Sequence, residues 1–317
     1  MRVLFLGDIV GRAARHAVIE HVPQLRTELS LDFIVVNCEN AAGGFGVTPS
    51  ICDELFACGI DVLTTGNHVW DKREIIPYIE ANPRLLRPIN MAEGTPGSGT
   101  VQVTNDAGKR IVVVNAITNL FMNDYDPVFP AVNGALVRNQ LGRDADFIMI
   151  DLHGEATSEK MAVGHYADGR ASLVVGTHTH VPTADHQILP GGTAFQTDAG
   201  MCGDYDSVIG MDKQAATARF TGEAAPRLSV AVGEPTLCGL LVESNDEGHA
   251  VSVEPLRRGR PLTHLGGSRG RVRVAERRSS FANALLRAGA GEKRSHRAVI
   301  CGDGDAVPRG ANFDKRR

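Results

Sequence analysis

The sequence lacks closely spaced cysteine pairs and is poor in aromatic residues. Its six cysteines form no CxxC motif, and aromatic residues make up 5% of the 317 positions. Scattered single cysteines are typical of free thiols in a reducing cytoplasm and argue against a disulfide framework or a structural zinc knot. With 35 glycines and few aromatics, the chain predicts many turns and a largely aliphatic core. The cysteines are Cys38, Cys52, Cys58, Cys202, Cys238 and Cys301.

The sequence also contains no long hydrophobic run. No stretch approaches the roughly 20 apolar residues that a membrane-spanning helix needs. The chain begins directly with the apolar run 3–6, without the cationic segment and small-residue cleavage site of a signal peptide. We therefore expect a cytoplasmic protein that has no membrane partner.

Positive charge is scarce in the body of the chain and concentrated at its end. Residues 257–317 contain 16 Lys and Arg residues against 5 Asp and Glu, whereas residues 1–256 contain 17 against 32. This change of composition predicts a domain over residues 1–265 and a basic tail over 266–317. The tail has few apolar residues, so we expect it to be disordered apart from one or two helical turns at 280–286. The alternative for the tail is electrostatic binding of nucleic acid.

The first part of the chain alternates predicted strands with predicted helices. Three apolar runs predict buried strands, and each is followed by polar residues. A helical pattern fills residues 13–29, and Thr48 with Pro49 predicts the N-cap and first residue of a second helix. In open α/β sheets, the carboxyl edge of the strands is where ligands bind. The strand runs are residues 3–6, 33–36 and 61–65.

The rest of the chain predicts a second group of strands. Strand runs separated by turn residues predict hairpins within 101–115 and 236–255. Further apolar runs at 147–150 and 193–197 predict strands, and a helix is expected over 158–166. Two groups of strands with helices between them favour an α/β fold of two packed mixed sheets flanked by helices.

Two histidines stand at the end of another apolar run. The segment Gly176-Thr-His-Thr-His-Val-Pro182 follows the run 173–175, which predicts a short buried strand. Side chains alternate across a strand, so His178 and His180 are predicted to face the same side. Two imidazoles in one space form half of a metal site. On its own, such a pair is more often an ordinary packing or surface feature.

Eight polar residues in total follow predicted strands. They comprise carboxylates, carboxamides and imidazoles without a thiolate, a donor set that suits Mn, Fe, Zn or Ni. They also exceed the number of ligands that one tetrahedral ion needs. The alternatives are a helix cap at Asp8 and ordinary turn residues at Asn40 and Asn67. The eight residues are Asp8, Glu39, Asn40, Asn67, His68, His153, His178 and His180.

Several motifs resemble those of calcineurin-like metallophosphoesterases. Gly66-Asn-His68, Leu152-His-Gly154 and Gly176-Thr-His-Thr-His180 follow that pattern in order and residue type. The two opening motifs of the pattern differ here. Val10 stands in place of the first histidine, and Asn37-Cys-Glu-Asn40 replaces the aspartate block.

These departures are themselves similar to one bacterial branch of the superfamily. Gly7-Asp-Ile-Val-Gly11, Glu39-Asn-Ala-Ala-Gly43, Gly66-Asn-His-Val-Trp-Asp71 and Thr197-Asp-Ala-Gly-Met201 resemble the YmdB-type branch. Its members are similar to 2′,3′-cyclic-nucleotide phosphodiesterases. The resemblance covers roughly residues 1–260 and does not include the tail.

The resemblance implies a four-layer α/β/β/α sandwich with two metal ions, iron or in some members manganese. It also implies a homo-oligomer. Asp8, Glu39, Asn40 and His180 would hold one ion. Glu39, Asn67, His153 and His178 would hold the other, so that Glu39 bridges the pair. His68 would be the proton donor.

This ligand set suits hydrolysis of a phosphodiester. Two ions can polarise a phosphoryl oxygen and form a bridging hydroxide that attacks phosphorus, while His68 protonates the leaving oxygen. The predicted substrate is a cyclic nucleotide or an RNA-derived phosphodiester. Two alternatives remain. One is a phosphomonoesterase or nucleotidase on the same site, and the other is a regulatory RNA-binding protein that keeps metals only for structure.

Overall fold

The fold is taken from a computed structural model, which describes residues 1–224 and 226–259 together with the backbone of one short strand at 272–273. Six helices and thirteen strands lie in these residues. The helices are α1 (Gly11–Glu28), α2 (Pro49–Ala57), α3 (Ile75–Ala81), α4 (Val128–Arg138), α5 (Thr157–Ala167) and α6 (Lys213–Thr221). The strands are β1 (Arg2–Leu6), β2 (Phe33–Asn37), β3 (Val62–Thr64), β4 (Thr100–Thr104), β5 (Arg110–Ile117), β6 (Phe147–His153), β7 (Leu173–Thr177), β8 (Gln187–Ile188), β9 (Ala194–Gln196), β10 (Gly203–Asp204), β11 (Pro235–Ser244), β12 (Ala250–Gly259) and β13 (Val272–Arg273).

The strands form two mixed sheets. In the first, the order is β13-β12-β11-β1-β2-β3, with β10 paired to β11. The second has the order β4-β5-β6-β7-β9-β8. Strands β1, β2 and β3 run parallel to one another, as do β5, β6, β7 and β9. In each sheet, therefore, the carboxyl ends of several neighbouring strands lie at one edge.

Strand alternation places the sheets face to face between helices. Val3 and Phe5 of β1 pack in a core with Phe147 of β6, whereas Leu4 of β1 packs on the opposite face with Val18 of α1. A third core joins the far face of the second sheet to α4 and α5. The layers are thus helix, sheet, sheet and helix, which confirms the predicted sandwich.

Most of the predicted elements are present. Thr48 caps α2 by accepting a hydrogen bond from the Ile51 amide, and Pro49 is the first helical residue. Both predicted hairpins are antiparallel pairs, β4 with β5 and β11 with β12. No described helix is long and apolar enough to cross a membrane. The predicted boundary at residue 265 and the tail 266–317 lie outside the described residues, apart from β13.

Helices α3, α4 and α6 do not appear among the sequence predictions. Asp212 caps α6 by accepting a hydrogen bond from the Ala215 amide, a start signal that was not recognised, whereas α3 and α4 have no such cap. Glu74 precedes α3 and Pro127 precedes α4. Neither residue makes a side-chain hydrogen bond to the N-terminus of its helix. Because the capping residues that mark a helix start are missing, the sequence carries no local signal for these two helices.

Candidate metal centre

The eight polar residues predicted from the sequence gather where the carboxyl ends of the two sheets meet. Five of them lie at the end of strand β6 or within three residues after strands β1, β2 and β3. Because these strands are parallel within each sheet, their carboxyl ends bring the side chains to a common edge. The other three follow β3 and β7. The five are Asp8, Glu39, Asn40, Asn67 and His153.

Three side chains converge on the ring nitrogen His153 Nε2. Asn67 Oδ1 lies 2.9 Å from this atom, His178 Nδ1 lies 3.1 Å away, and Glu39 Oε1 lies 3.2 Å away. Glu39, His153 and His178 each offer one potential ligand atom, and these three atoms lie within 4.8 Å of one another. This spacing suits a single metal ion.

A second group of side chains lies next to the first, close to the end of β1, and consists of Asp8, Asn40 and His180. His180 Nε2 lies 3.9 Å from Asp8 Oδ2, and the same oxygen accepts a hydrogen bond from the His178 amide at 3.0 Å. Asn40 is also buried, and its side-chain amide donates to the Gly44 carbonyl at 2.8 Å. That hydrogen bond fixes the orientation of the carboxamide, so Asn40 Oδ1 is the atom left for a ligand.

Hydrogen bonds behind the imidazoles fix which nitrogen of each ring faces the site. His180 Nδ1 lies 2.8 Å from the Ile209 carbonyl, which only accepts, so Nδ1 carries the proton. Thr177 donates to Asp151 Oδ1 and therefore accepts from His153 Nδ1 at 2.9 Å. In both rings Nδ1 is engaged behind the site and Nε2 is the nitrogen that faces it, as the neighbours of metal-binding histidines usually arrange.

The histidine pair converges for a different reason from the one predicted. Strand β7 ends at Thr177, so neither histidine lies in the strand. Both adopt left-handed backbone conformations, with φ of 99° at His178 and 66° at His180. Such conformations are rare outside glycine and are held in place by the surrounding structure. Backbone curvature, and not strand alternation, brings the two rings to one side.

Burial and charge set the protonation of these groups. Burial lowers the pKa of His178 to about 3, helped by the charge of His153, and it also lowers the pKa of His180. Burial alone would also lower the pKa of His153, but Glu39 and other carboxylates raise it to about 9. Burial would raise the pKa of Glu39, yet His153 lowers it to about 2. The centre therefore holds a positive charge beside a buried carboxylate.

The donor set fits metal ions. Within the described part of the chain, Asp8 Oδ1 and Asn40 Oδ1 are buried and have no hydrogen-bond partner. A buried oxygen without a partner is costly, and a metal cation would satisfy it. Carboxylate and carboxamide oxygens with imidazole nitrogens are the ligands of divalent transition metals. A side chain at Gly66 would overlap Glu39 and His153, so the chain leaves room for these donors.

His68 lies beside this cluster and is partly exposed. Its amide donates to Glu39 Oε2 at 3.3 Å, and its Nδ1 lies 2.9 Å from Asp71 Oδ2. The ring contacts the edge of Phe45, with the ring centroids 5.0 Å apart. His68 and Phe45 line a cavity of about 310 Å³, whose wall also includes Glu39, Asn40, Glu155, His178, Thr179, His180, Ile209 and Met211.

The residues that support this candidate centre from behind were not predicted from the sequence. Asp151 stands two residues before His153 on β6, so strand alternation could have placed both on one face. Asp198 belongs to a motif that the sequence analysis noted, but it was given no role there. Its Oδ2 accepts from the Thr179 amide at 3.1 Å. Ile209 lies in a loop and contributes through its carbonyl, which no side-chain pattern reveals.

Val10, which stands where the metallophosphoesterase pattern has its first histidine, makes an apolar contact. Val10 is buried, and a side chain at Gly210 would collide with it. Gly210 directly follows Ile209, whose carbonyl orients His180. Val10 therefore packs beneath the loop that supports a candidate ligand.

Similarity to known proteins agrees with this geometry. A 2′,3′-cyclic-nucleotide 2′-phosphodiesterase of Bacillus subtilis is 45% identical over 255 residues, covering 80% of this chain and 96% of the relative. A crystal structure of a hypothetical protein from Thermus thermophilus superimposes with a TM-score of 0.76 at 37% identity, covering 82% of this chain and all of that one.

A second solved structure has a similar fold. The crystal structure of a phosphatase from Mycoplasma pneumoniae matches with a TM-score of 0.75 and 28% identity, covering 82% of this chain and 93% of that one. The sequence profile of the family described as YmdB-like protein matches residues 4–256. That range contains every residue of the candidate centre. The chain therefore belongs to the YmdB-like family, with the metallophosphoesterase fold.

Proposed function

We propose that this protein is a metal-dependent phosphodiesterase that hydrolyses 2′,3′-cyclic nucleotides. The observation that carries the proposal is the pair of buried, unpartnered oxygens of Asp8 and Asn40, which adjoin the cluster of Glu39, His153 and His178. The Bacillus subtilis relative carries the name of this activity. A partly exposed histidine beside the cluster, His68, provides a group for acid–base chemistry.

The proposed ligands fall into two groups that share one carboxylate. Asp8, Asn40 and His180 would hold one ion, and Asn67, His153 and His178 would hold the other. Glu39 would contact both. We further propose iron as the metal, with manganese as the alternative, as the resemblance to the YmdB-type branch implies; oxygen and nitrogen donors without a thiolate are compatible with both. Bound ions would neutralise charge on the phosphoryl group and supply hydroxide at neutral pH.

His68 is the proposed proton donor. Asp71 accepts a hydrogen bond from His68 Nδ1, which fixes the ring and leaves Nε2 to carry the proton. A leaving ribose oxygen is strongly basic, so protonation by His68 would promote cleavage by about 10²–10⁴-fold. Only one ester bond of a 2′,3′-cyclic phosphate is broken, so one acid suffices.

A cytoplasmic location is part of this proposal. Five cysteines lie in the described residues, and all five are free thiols. Free buried thiols suit a reducing compartment. The predicted homo-oligomer stays a prediction.

A phosphomonoesterase using the same centre is the second candidate, because the Mycoplasma pneumoniae structure is described as a phosphatase. The two are separated by incubating metal-loaded protein with 2′,3′-cyclic AMP and, separately, with 2′-AMP, 3′-AMP and 5′-AMP. We expect the cyclic ester to be opened to a nucleoside monophosphate, with little release of inorganic phosphate. Faster release of phosphate from the monoesters than opening of the ring would favour the phosphomonoesterase. Failure to hydrolyse any of them would overturn both proposals.

A further inference from the structure

A second cavity adjoins the candidate metal centre. It measures about 300 Å³, which is at the lower end of the range for small-molecule sites. His180 and Ile209 line both this cavity and the one that contains His68, so the two adjoin along that pair. Ile209 is exposed, so this boundary between the cavities lies at the surface. The lining residues are His180, Val181, Pro182, Met201, Tyr205, Ser207, Ile209 and Arg257.

Most polar groups in this second cavity are already paired. The Tyr205 hydroxyl donates to the Met201 carbonyl at 3.0 Å and accepts from the Met201 amide at 2.9 Å. Ser207 donates to the Asp204 carbonyl and accepts from the Gly210 amide. Apart from His180 and Arg257, the other lining residues are apolar. These hydroxyls therefore serve the loop and not a ligand.

Arg257 is the exception. It lies on β12, opposite Cys238 of β11, and its side chain is half-buried. Within residues 1–224 and 226–259, no hydrogen bond or ion pair to its guanidinium is present. Arg258, the next residue, extends to the other side of the strand and pairs with Glu28 at 2.8 Å. An unpaired guanidinium on an apolar wall is suited to a phosphate group.

We propose that the second cavity binds the nucleotide that precedes a 2′,3′-cyclic phosphate end, so that the substrates are short oligoribonucleotides. The inference rests on the proposed function, because it places the cyclic phosphate at the metal centre. The 5′-phosphate of the terminal nucleoside then lies on Arg257. The preceding base packs on Tyr205 and Pro182, since aromatic and apolar side chains accept any base without sequence preference.

The test compares two substrates in three proteins. The substrates are 2′,3′-cyclic AMP and the dinucleotide ApA ending in a 2′,3′-cyclic phosphate, and the proteins are the parent, Arg257→Gln and Arg258→Gln, each as the full chain. The readout is the ratio of kcat/KM for the dinucleotide to that for the mononucleotide. We expect a ratio of about ten in the parent, because one charged hydrogen bond to the extra phosphate strengthens binding by about that factor. In Arg257→Gln the ratio should fall to about one. Arg258→Gln should keep the parent's ratio.

A binding measurement keeps the subsite separate from the proposed activity. Fluorescently labelled ApA with a 3′-monophosphate needs no turnover, and it should bind the parent about tenfold more tightly than Arg257→Gln. If neither cyclic substrate is hydrolysed but this difference is found, the subsite stands and the proposed function fails. A parent ratio of one or less, or an Arg257→Gln protein with the parent's ratio and affinity, overturns the subsite.

Discussion

Lys160 Nζ lies 2.9 Å from Asp198 Oδ2, and both side chains are fully buried. Lys160 also donates to the Thr177 carbonyl at the end of β7, and Asp198 accepts from the Thr179 amide between the two histidines. This ion pair therefore ties the end of a central strand to the segment that presents His178 and His180. It explains how two residues with unfavourable backbone conformations are held in one arrangement.

The first prediction concerns this pair. Asp198→Asn removes one charge and leaves Lys160 buried without its partner, which should lower the free energy of unfolding by about 3–5 kcal/mol. Urea denaturation measures the change. Asp206→Asn is the control, because it breaks the exposed ion pair with Lys213 and should leave stability nearly unchanged. Equal changes in the free energy of unfolding for the two substitutions would show that the buried pair does not stabilise the segment that carries His178 and His180.

The second prediction concerns the proton donor. His68→Ala should lower kcat for 2′,3′-cyclic AMP by about 10²–10⁴-fold while metal content stays at the parent level. Hydrolysis of bis-p-nitrophenyl phosphate should fall much less, because p-nitrophenolate leaves without protonation. The exposed His165→Ala variant controls for loss of a histidine. An equal loss on both substrates would contradict the acid role of His68.

The third prediction concerns the shared carboxylate. If Glu39 contacts both ions, Glu39→Gln should weaken both sites at once and reduce the metal content well below that of the parent. Glu155→Gln is the matched control, because Glu155 lines the same cavity but is half-exposed and belongs to neither ligand group. Elemental analysis of both purified variants measures the outcome. Full metal content in Glu39→Gln would exclude a shared ligand.

Sequence patterns predicted most strands of the two sheets and the residues that gather at their carboxyl ends. The alternation of Val3, Leu4 and Phe5 determines which core each side chain enters, and it is visible in the sequence because it has a period of two. Asp8, Glu39 and Asn67 follow buried strands directly. Their meeting point follows from the parallel order of those strands.

The interactions that support the candidate centre could not be predicted from the sequence. The left-handed backbone at His178 and His180 is imposed by contacts such as Asp198 to Thr179, which join residues from different elements. The Ile209 carbonyl acts through its main chain, so its residue type carries no signal. Such features depend on tertiary packing and not on local pattern.

The fourth prediction concerns the basic end of the chain. All proposed ligands precede residue 181, and both sheets are almost complete by Gly259. Truncation after Leu265, which also removes β13, should leave metal content and turnover of 2′,3′-cyclic AMP close to those of the full chain. The measurement is a side-by-side assay of both proteins. A truncated protein that fails to fold or loses turnover would show that the domain extends beyond residue 265.

The most direct test of the central claim is the metal content of freshly purified full-length protein, measured together with its turnover of 2′,3′-cyclic AMP. We expect about two ions per chain, because the proposed ligands form two groups around Glu39. Chelation should abolish turnover, and adding back iron or manganese should restore it. One ion or none, with turnover unaffected by chelation, would contradict the account.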